Sequence, residues 1–475
     1  MRGTAARACP STVSVVKRKS GFCHLNPIPS PVVAEPLDSS SVQPSRQLGR
    51  YRWFLCFLLF VITVNNYMDR QLLSIAAPAI SAEYNFSNSD IAVIANAFLV
   101  AYTVGQLLAG MFVDRVGARN GMTLAVLMWS GMTLLTAFAR SIFQFGSVRF
   151  LLGISESVNY PAGVKVCAEW FPPKERATAV GFFQSGSAIG ALLTPVVAAS
   201  LIVKFGWRAA FILVAIPGLI WTPFWLKYYA PIERSTRVSE EERGYVLAYR
   251  GEQASVAPGK RFGWSFFLKQ RLVLAVALSR FLEEPSGWFY FTWLPIYLKN
   301  YRDVSLMNIG FLLIIPFLTL DVGKVGGGWM SSRFMKQGWT LDRARKVVML
   351  ISALSMAASL PAIFVPTPLG FVLFISLATF GHGSWATTTQ TIPGDIVPPR
   401  FVGTVYGITA FGGGIGAIIF TYVTGKLVDI YGSFTGPFVI AAVLPLVAYA
   451  AFALVAGRIR PLHFDEAMAT RGSRA

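Results

Sequence analysis

Four ionisable side chains stand out because the residues around them are apolar. Asp69 and Arg70 close the tract Asn65-Asn66-Tyr67-Met68-Asp69-Arg70, and Arg149 and Glu156 lie seven residues apart in another apolar run. Seven residues is two helical turns, so that second pair shares a helix face. A charge at the centre of a bilayer costs about 2.5–3.5 kcal/mol on insertion scales, and charges kept there mark functional positions by default. A guanidinium cannot lose its charge and matches a carboxylate with two parallel hydrogen bonds. A carboxylate in a low dielectric can be protonated near neutral pH. Two of each in one region can therefore hold an organic anion and exchange protons with it; the competing reading is a structural ion-pair lattice. Tyr102 and Gln184, each inside an apolar run, can add a hydroxyl and an amide.

The elements that must carry these residues are apolar throughout. Of 475 residues, 54% are hydrophobic and only 14% charged, and the mean hydropathy is +0.53. Soluble domains carry about 25% charged residues, so an ordinary soluble enzyme and a disordered scaffold are both excluded. The three histidines are far apart and the four cysteines form no CxxC, which leaves no metal or haem site and no disulfide framework. No Walker-type GxxxxGK[ST] loop is present, so nucleotide hydrolysis is not the energy source. No cofactor is expected.

From Tyr51 onward, apolar runs recur near the roughly 20 residues that cross a bilayer. Twelve are placed at 51–78, 89–113, 120–139, 142–167, 177–203, 207–229, 271–299, 305–330, 345–365, 368–393, 402–428 and 433–457. Lipid forces backbone groups to pair internally, so the expected fold class is an all-α membrane protein of twelve transmembrane helices in two pseudo-symmetric six-helix bundles. The net charge of +19 fits that reading, because about 30 of the 42 Lys and Arg fall in the termini and alternate connections. Basic residues collect on the cytoplasmic side, so both termini and the 230–270 linker are expected there, in the plasma (inner) membrane. Nucleic acid is then not a partner. The expected domains are a disordered cytoplasmic tail at 1–49, a six-helix bundle at 50–229, the linker at 230–270, a second bundle at 271–457 and a short tail at 458–475. The basic, Ser-rich start also has transit-peptide character, but lacks the apolar core of a secretory signal.

The halves repeat one another. Pro172-Pro173-Lys174 with Gly181, Gly186 and Gly190 recurs, offset by 226, as Pro398-Pro399-Arg400 with Gly407, Gly412 and Gly416. Gly110-x-x-x-Asp114-Arg115 recurs, offset by 218, as Gly328-x-x-x-Ser332-Arg333. Parallel repeats of this kind place a substrate site between two bundles. The loop Gly110-Met111-Phe112-Val113-Asp114-Arg115-Val116-Gly117-Ala118-Arg119 resembles the signature of the major facilitator superfamily, which makes Asp114, Arg115, Arg119 and Arg333 gating candidates. Ser332 stands where the first copy has Asp114, so a weaker second latch is expected.

Three further stretches resemble the anion:cation symporter family: Asn66-Tyr67-Met68-Asp69-Arg70-Gln71-Leu72-Leu73-Ser74, Arg149-Phe150-Leu151-Leu152-Gly153 with Glu156, and Ala168-Glu169-Trp170-Phe171-Pro172 with Glu175-Arg176. Pro285 to Pro295 (PSGWFYFTWLP) is similar to the hexuronate-transporter subgroup. The resemblance implies that Asp69 and Glu156 exchange protons, that Arg70 holds the substrate carboxylate, and that Arg149 pairs with Glu156 and tunes its acidity. It implies Tyr102 and Gln184 as hydrogen-bonding partners of a sugar acid. In galactonate carriers an Asn near the position of Ala410 contacts substrate, so Ala410 favours a hexuronate or another acid. The expected activity is proton-driven symport of a small organic anion by a monomer that is not an enzyme. Another carboxylate, such as an aldonate or phthalate-like acid, and a non-transporting sensor are the alternatives.

In the second half, Trp288, Tyr290, Trp293 and Trp385 could stack on a sugar ring. Ser384, Thr388 and Gln390 suggest a polar, cavity-lining face. Glu283 and Glu284 either form a cation or substrate-hydroxyl site or simply partner Arg280, and His382 is read as a satisfied helix histidine in preference to a proton relay. The glycine patterns at 412–417 and 381–386 follow no strand, so they are packing glycines and not a dinucleotide fingerprint.

Overall fold

The computed structural model describes residues 50–248, 262–302 and 306–462. The expected tail at 1–49 and most of that at 458–475 lie outside the described residues, as does the middle of the linker.

The apolar runs form α1 (Tyr51–Tyr84), α2 (Asn88–Val116), α3 (Ala118–Thr136), α4 (Ile142–Glu156), α5 (Asn159–Trp170) and α6 (Pro173–Tyr228), then, after the linker helices α7 (Glu240–Ala248) and α8 (Trp264–Phe267), α9 (Arg271–Arg302), α10 (Leu306–Lys336), α11 (Leu341–Met356), α12 (Ser359–Ala362), α13 (Pro368–Ile396), α14 (Val402–Tyr431) and α15 (Thr435–Ala456). Each of the twelve expected spans falls on one of these, with three differences in continuity. The run 142–167 is broken at Ser157-Val158 into α4 and α5, and the run 345–365 is broken into α11 and α12. The runs 177–203 and 207–229 form one helical stretch that turns at Gly206, whose φ of 82° an L-residue rarely adopts.

Local chemistry fixes several starts. Ser87 and Asp90 close a capping box on α2, and Ser141, Thr340 and Thr367 each accept from a backbone N–H of the first turn that follows. Seven helical stretches among the described residues are long and apolar enough to cross a bilayer, the α6 stretch counted once. α1 and α9 fall short because Asp69-Arg70 and Arg280, Glu283 and Glu284 interrupt them. Large apolar side chains such as Phe57, Leu127, Val196, Phe224, Ile418 and Leu454 are exposed on the outer surface, as a multi-pass membrane protein requires.

α1 lies along α6, α2 along α4, and α3 against both α4 and α6; in the second half α9 packs with α14 and α15, and α13 with α10 and α11. The halves meet along two seams, α2 with α14 and α6 with α10. Apolar packing is uneven along these seams. At the face where the basic loops gather, here called the basic face, one core runs through both halves, from Val113, Trp170 and Phe183 to Phe401, Val402 and Tyr406. Toward the opposite face each half keeps its own core, around Leu72, Phe145 and Phe211 in the first and Phe289, Phe371 and Phe438 in the second. This conformation is closed at the basic face.

Candidate functional site

Arg70 is the centre of the first half. Its guanidinium donates from Nε and Nη2 to Glu156 Oε2, both at 3.1 Å. It also lies over three rings, Tyr102 at 4.4 Å, Tyr67 at 4.7 Å and Phe98 at 5.2 Å. Such rings favour a cation through their negative faces. Glu156 is fully buried while the Arg70 side chain keeps 20% exposure, so the guanidinium is the part of the pair a ligand can reach. The expected Arg149–Glu156 hydrogen bond is not formed. Arg149 Nη1 reaches the Arg70 carbonyl at 3.5 Å, and its Nε and Nη2 have no protein partner. Asp69 is buried with the Thr133 hydroxyl beside it and no basic side chain hydrogen-bonded to it, and both amide atoms of Asn66 lack a partner. Orphaned groups at this density mark a hydrated or functional pocket rather than a packed core.

The second half answers with its own set. Arg280 donates to Glu284 at 2.7 Å and to Thr409 Oγ1 at 3.5 Å, and lies 5.4 Å from the Tyr406 ring centroid. Gln184 donates to Gln390 Oε1 at 2.7 Å, which also accepts from Tyr406 at 2.9 Å. α6, α13 and α14 are thus tied together at mid-depth. Tyr67 and Tyr160 share a hydrogen bond at 3.2 Å, and Tyr102, Tyr160 and Tyr406 lie within electrostatic reach of one another. Two guanidiniums, each held by its own carboxylate, thereby flank a cluster of tyrosines where the halves meet.

The remaining expected contacts divide. Ser384 is fully buried and bonded to Ser352 Oγ at 2.8 Å, against α11 rather than a cavity. Trp385 is buried in the shared core, and Tyr290 in the second half's aromatic core. Trp288 is 44% exposed. Glu284 partners Arg280, as one of the two readings held, and Glu283 partners His382 at 2.6 Å.

The gating candidates also divide. Asp114 accepts from Gly403 N at 3.1 Å, Thr404 N at 2.6 Å, Thr404 Oγ1 at 2.7 Å and Lys165 Nζ at 2.8 Å. It therefore caps the N-terminus of α14 across the seam, where a carboxylate meets free N–H groups and the positive end of the helix dipole. Lys165 also donates to the Pro399 carbonyl at 2.8 Å. Arg119 turns the other way, donating to Leu226 O at 2.5 Å within the first half, and Arg115 and Arg333 are exposed. The second seam does not lack a carboxylate. Asp395 accepts from Arg176 at 2.8 Å and Arg345 at 2.9 Å, all three buried. Sequence reasoning missed Asp395, which lies just past the expected run 368–393; its signal is that it is the lone acid of α13.

Comparison with known proteins agrees with this architecture. The profile of the Major Facilitator Superfamily matches residues 59–341 and 337–470. The chain is 30% identical over 421 residues to a D-galactonate transporter of Escherichia coli O6:H1, covering 87% of this chain and 97% of the relative. It is 30% identical to the hexuronate transporter of Escherichia coli K12, covering 84% and 93%. Among solved structures, a proton:xylose symporter shares the fold with a TM-score of 0.68 at 16% identity, covering 88% of this chain and 99% of that one. Both sequence relatives are transporters, and a carrier rather than an enzyme is what the chain resembles.

Proposed function

Since the chain belongs to the Major Facilitator Superfamily, we propose that it is a proton-coupled symporter of a sugar acid, a hexuronate first, working by alternating access between its halves. The observation that carries this reading is the Arg70 fork on Glu156, ringed by Tyr67, Phe98 and Tyr102 and partly exposed. A substrate carboxylate takes Arg70 by displacing Glu156. Glu156 Oε1 already lacks a partner and Arg149 makes no hydrogen bond to it, so protonating the displaced side chain relieves the cost of a buried carboxylate that has lost its ion-pair partner. Anion binding and proton binding are thereby one event. Asp69, with no basic side chain hydrogen-bonded to it, is the second group that takes up a proton, and Arg149 lies within electrostatic reach of both acids. Tyr102 and Gln184 hold the sugar hydroxyls. The distribution of Lys and Arg supports a plasma (inner) membrane location with both termini cytoplasmic, and the seams need no second copy. No cofactor takes part; the proton gradient drives the cycle.

The test uses the full chain in proteoliposomes with an imposed pH gradient and labelled D-glucuronate, compared with D-galactonate and a neutral hexose. Accumulation of the acids that collapses with the gradient is expected, with no uptake of the neutral sugar. Uptake of no acid refutes the substrate class, and acid uptake indifferent to the gradient refutes the coupling.

A further inference from the structure

Set apart from buried charges at the basic face such as Arg52, Lys165, Arg176, Arg345 and Asp395, the buried charges of the two halves differ in their balance. In the first half Asp69 and Glu156 face Arg70 and Arg149, two against two. In the second half Glu283, Glu284 and Asp321 face Arg280 and Lys324, three acids against two cations, all buried or nearly so. His382 belongs to this second set. Its Nδ1 meets Glu283 Oε1 at 2.6 Å, with Glu283 1% exposed. Two lone pairs cannot meet at that distance, so a proton lies between them. With the imidazole singly protonated the set carries a net negative charge inside the membrane; with one further proton it is neutral.

The surroundings hold the ring in place. A Cβ on Gly287 would fall 2.2 Å from Cε1 and Nε2 of His382, so the imidazole lies flat on the backbone of α9 where only glycine leaves room. From α9 the charged neighbours are Glu283, Glu284 and Arg280; from α10 they are Lys324, in electrostatic reach of the ring, and its ion-pair partner Asp321. Tyr290 of α9 lies near Glu283. Lys324 is the link to the other half: it bonds Asp321 at 2.8 Å and, across the α6–α10 seam, Ser187 Oγ at 2.6 Å.

We propose that the His382–Glu283 pair is a second proton-carrying site, loaded while the basic face is closed and discharged when the α6–α10 seam parts. Separation of α6 from α10 removes Ser187 from Lys324. The ammonium, still paired with Asp321 but released from Ser187, then turns toward Glu283 and supplies part of its counter-charge. The imidazolium N–H bond breaks, the proton passes to water entering from the basic face, and the neutral imidazole and the carboxylate remain. One proton leaves for water, so the set as a whole becomes net negative by one, and the ammonium is shared between Asp321 and Glu283. This inference rests on the proton-coupled reading above, but it concerns residues that Arg70 and Glu156 do not touch.

Two measurements test it. The double variant Glu283→Gln/His382→Gln keeps a donor–acceptor pair with no titratable proton. In proteoliposomes at zero membrane potential and a gradient of one pH unit, each coupled proton is worth about a tenfold accumulation ratio, so D-glucuronate accumulation should fall about tenfold while exchange persists. Unchanged accumulation overturns the proposal; a wild type that accumulates nothing instead overturns the transport reading. The second measurement needs no transport. The 15N signals of histidine-labelled full-length protein in nanodiscs, with the His382 signal assigned by its loss in the double variant, report its protonation. Forcing the basic face open with Gly110→Ala, or with Asp114→Asn should the first variant not fold, should release the His382 proton at a pH where the wild type retains it. The same protonation in open and closed forms overturns the proposal.

Discussion

Replacing Gly110 with alanine should disable closure of the basic face. An added Cβ would lie 1.9 Å from the Gly403 carbonyl oxygen and 2.5 Å from its carbon, against a normal C···O contact of about 3.3 Å. Both atoms are backbone inside α14, so no rotamer change relieves the clash and the seam must open by roughly 1.4 Å. That displacement takes Asp114 out of range of Gly403 N, Thr404 N and Thr404 Oγ1, which it now meets at 3.1, 2.6 and 2.7 Å. A hydrogen bond to a charged group is worth about 1.5–3 kcal/mol. Losing even two of the three removes about 3 kcal/mol from the closed state, a shift of roughly a hundredfold in the equilibrium between faces. Spin labels on Arg115 and Arg333, both exposed at the basic face, would read it once the four native cysteines are replaced. The distance distribution should move to longer values, and uptake should fall at least about tenfold. Gly131→Ala is the control, because a Cβ there meets nothing within 4 Å. If Gly110→Ala leaves both distances and uptake at wild-type values, or if Gly131→Ala is equally damaging, the seam argument is wrong.

Three further outcomes follow from the same geometry. Arg70→Lys keeps the charge but loses the fork on Glu156 and the planar contact with Tyr102; sugar-acid uptake should drop by about two orders of magnitude with normal membrane insertion, and uptake within a few-fold of wild type would reject Arg70 as the carboxylate site. Glu156→Gln should abolish gradient-driven accumulation yet permit substrate exchange, and accumulation that still follows the gradient would remove Glu156 from coupling. Asp395→Asn leaves Arg176 and Arg345 buried without their shared counter-charge, at a cost of about 3–5 kcal/mol. It should lower the thermal midpoint and lengthen the Arg115–Arg333 label distance, and a wild-type result in both would show that Asp395 does not hold the seam.

The sequence revealed the spans and the charged residues more reliably than their pairings. Runs of some twenty apolar residues locate helices because length and composition decide that outcome locally. Which of Arg70 and Arg149 meets Glu156 depends on the rotation and tilt of α1 against α4, and no spacing within either helix encodes that. The polar stretch of α13 shows the same limit. At 100° per residue Ser384 and Thr388 share a face, but Gln390 points about 120° away from Ser384. The stretch is therefore two faces: Ser384 meets Ser352 of α11, while Gln390 meets Gln184 in the seam. The repeat misled in a different way. It placed the second latch at Ser332, whereas the carboxylate comes from Asp395 at the far end of another helix. A repeat preserves backbone geometry, and side-chain charge can be supplied from any element that reaches the same point.

The site and the latch are joined by shared helices. α6 carries Gln184 and Ser187 at mid-depth and Arg176 and Gly181 at the seam, and 11 residues from Arg176 to Ser187 span about 16 Å of rigid helix. α2 likewise carries Tyr102 and Asp114, α13 carries Gln390 and Asp395, and α10 carries Lys324 and Gly328. A change at the centre cannot stay local in such a frame. If substrate draws Tyr102 and Gln184 inward, the opposite ends of α2 and α6 must move against α14 and α10, where backbone already touches backbone at Gly110 and Gly181. Those contacts cannot compress, so the only available motion is separation, and separation exposes Asp114, Asp395 and the shared core to water together. Opening is thus all or none by packing rather than by any single ion pair. On the mechanism proposed here, electrostatics at Arg70 and His382 sets when opening occurs, and the glycine seams make it one step.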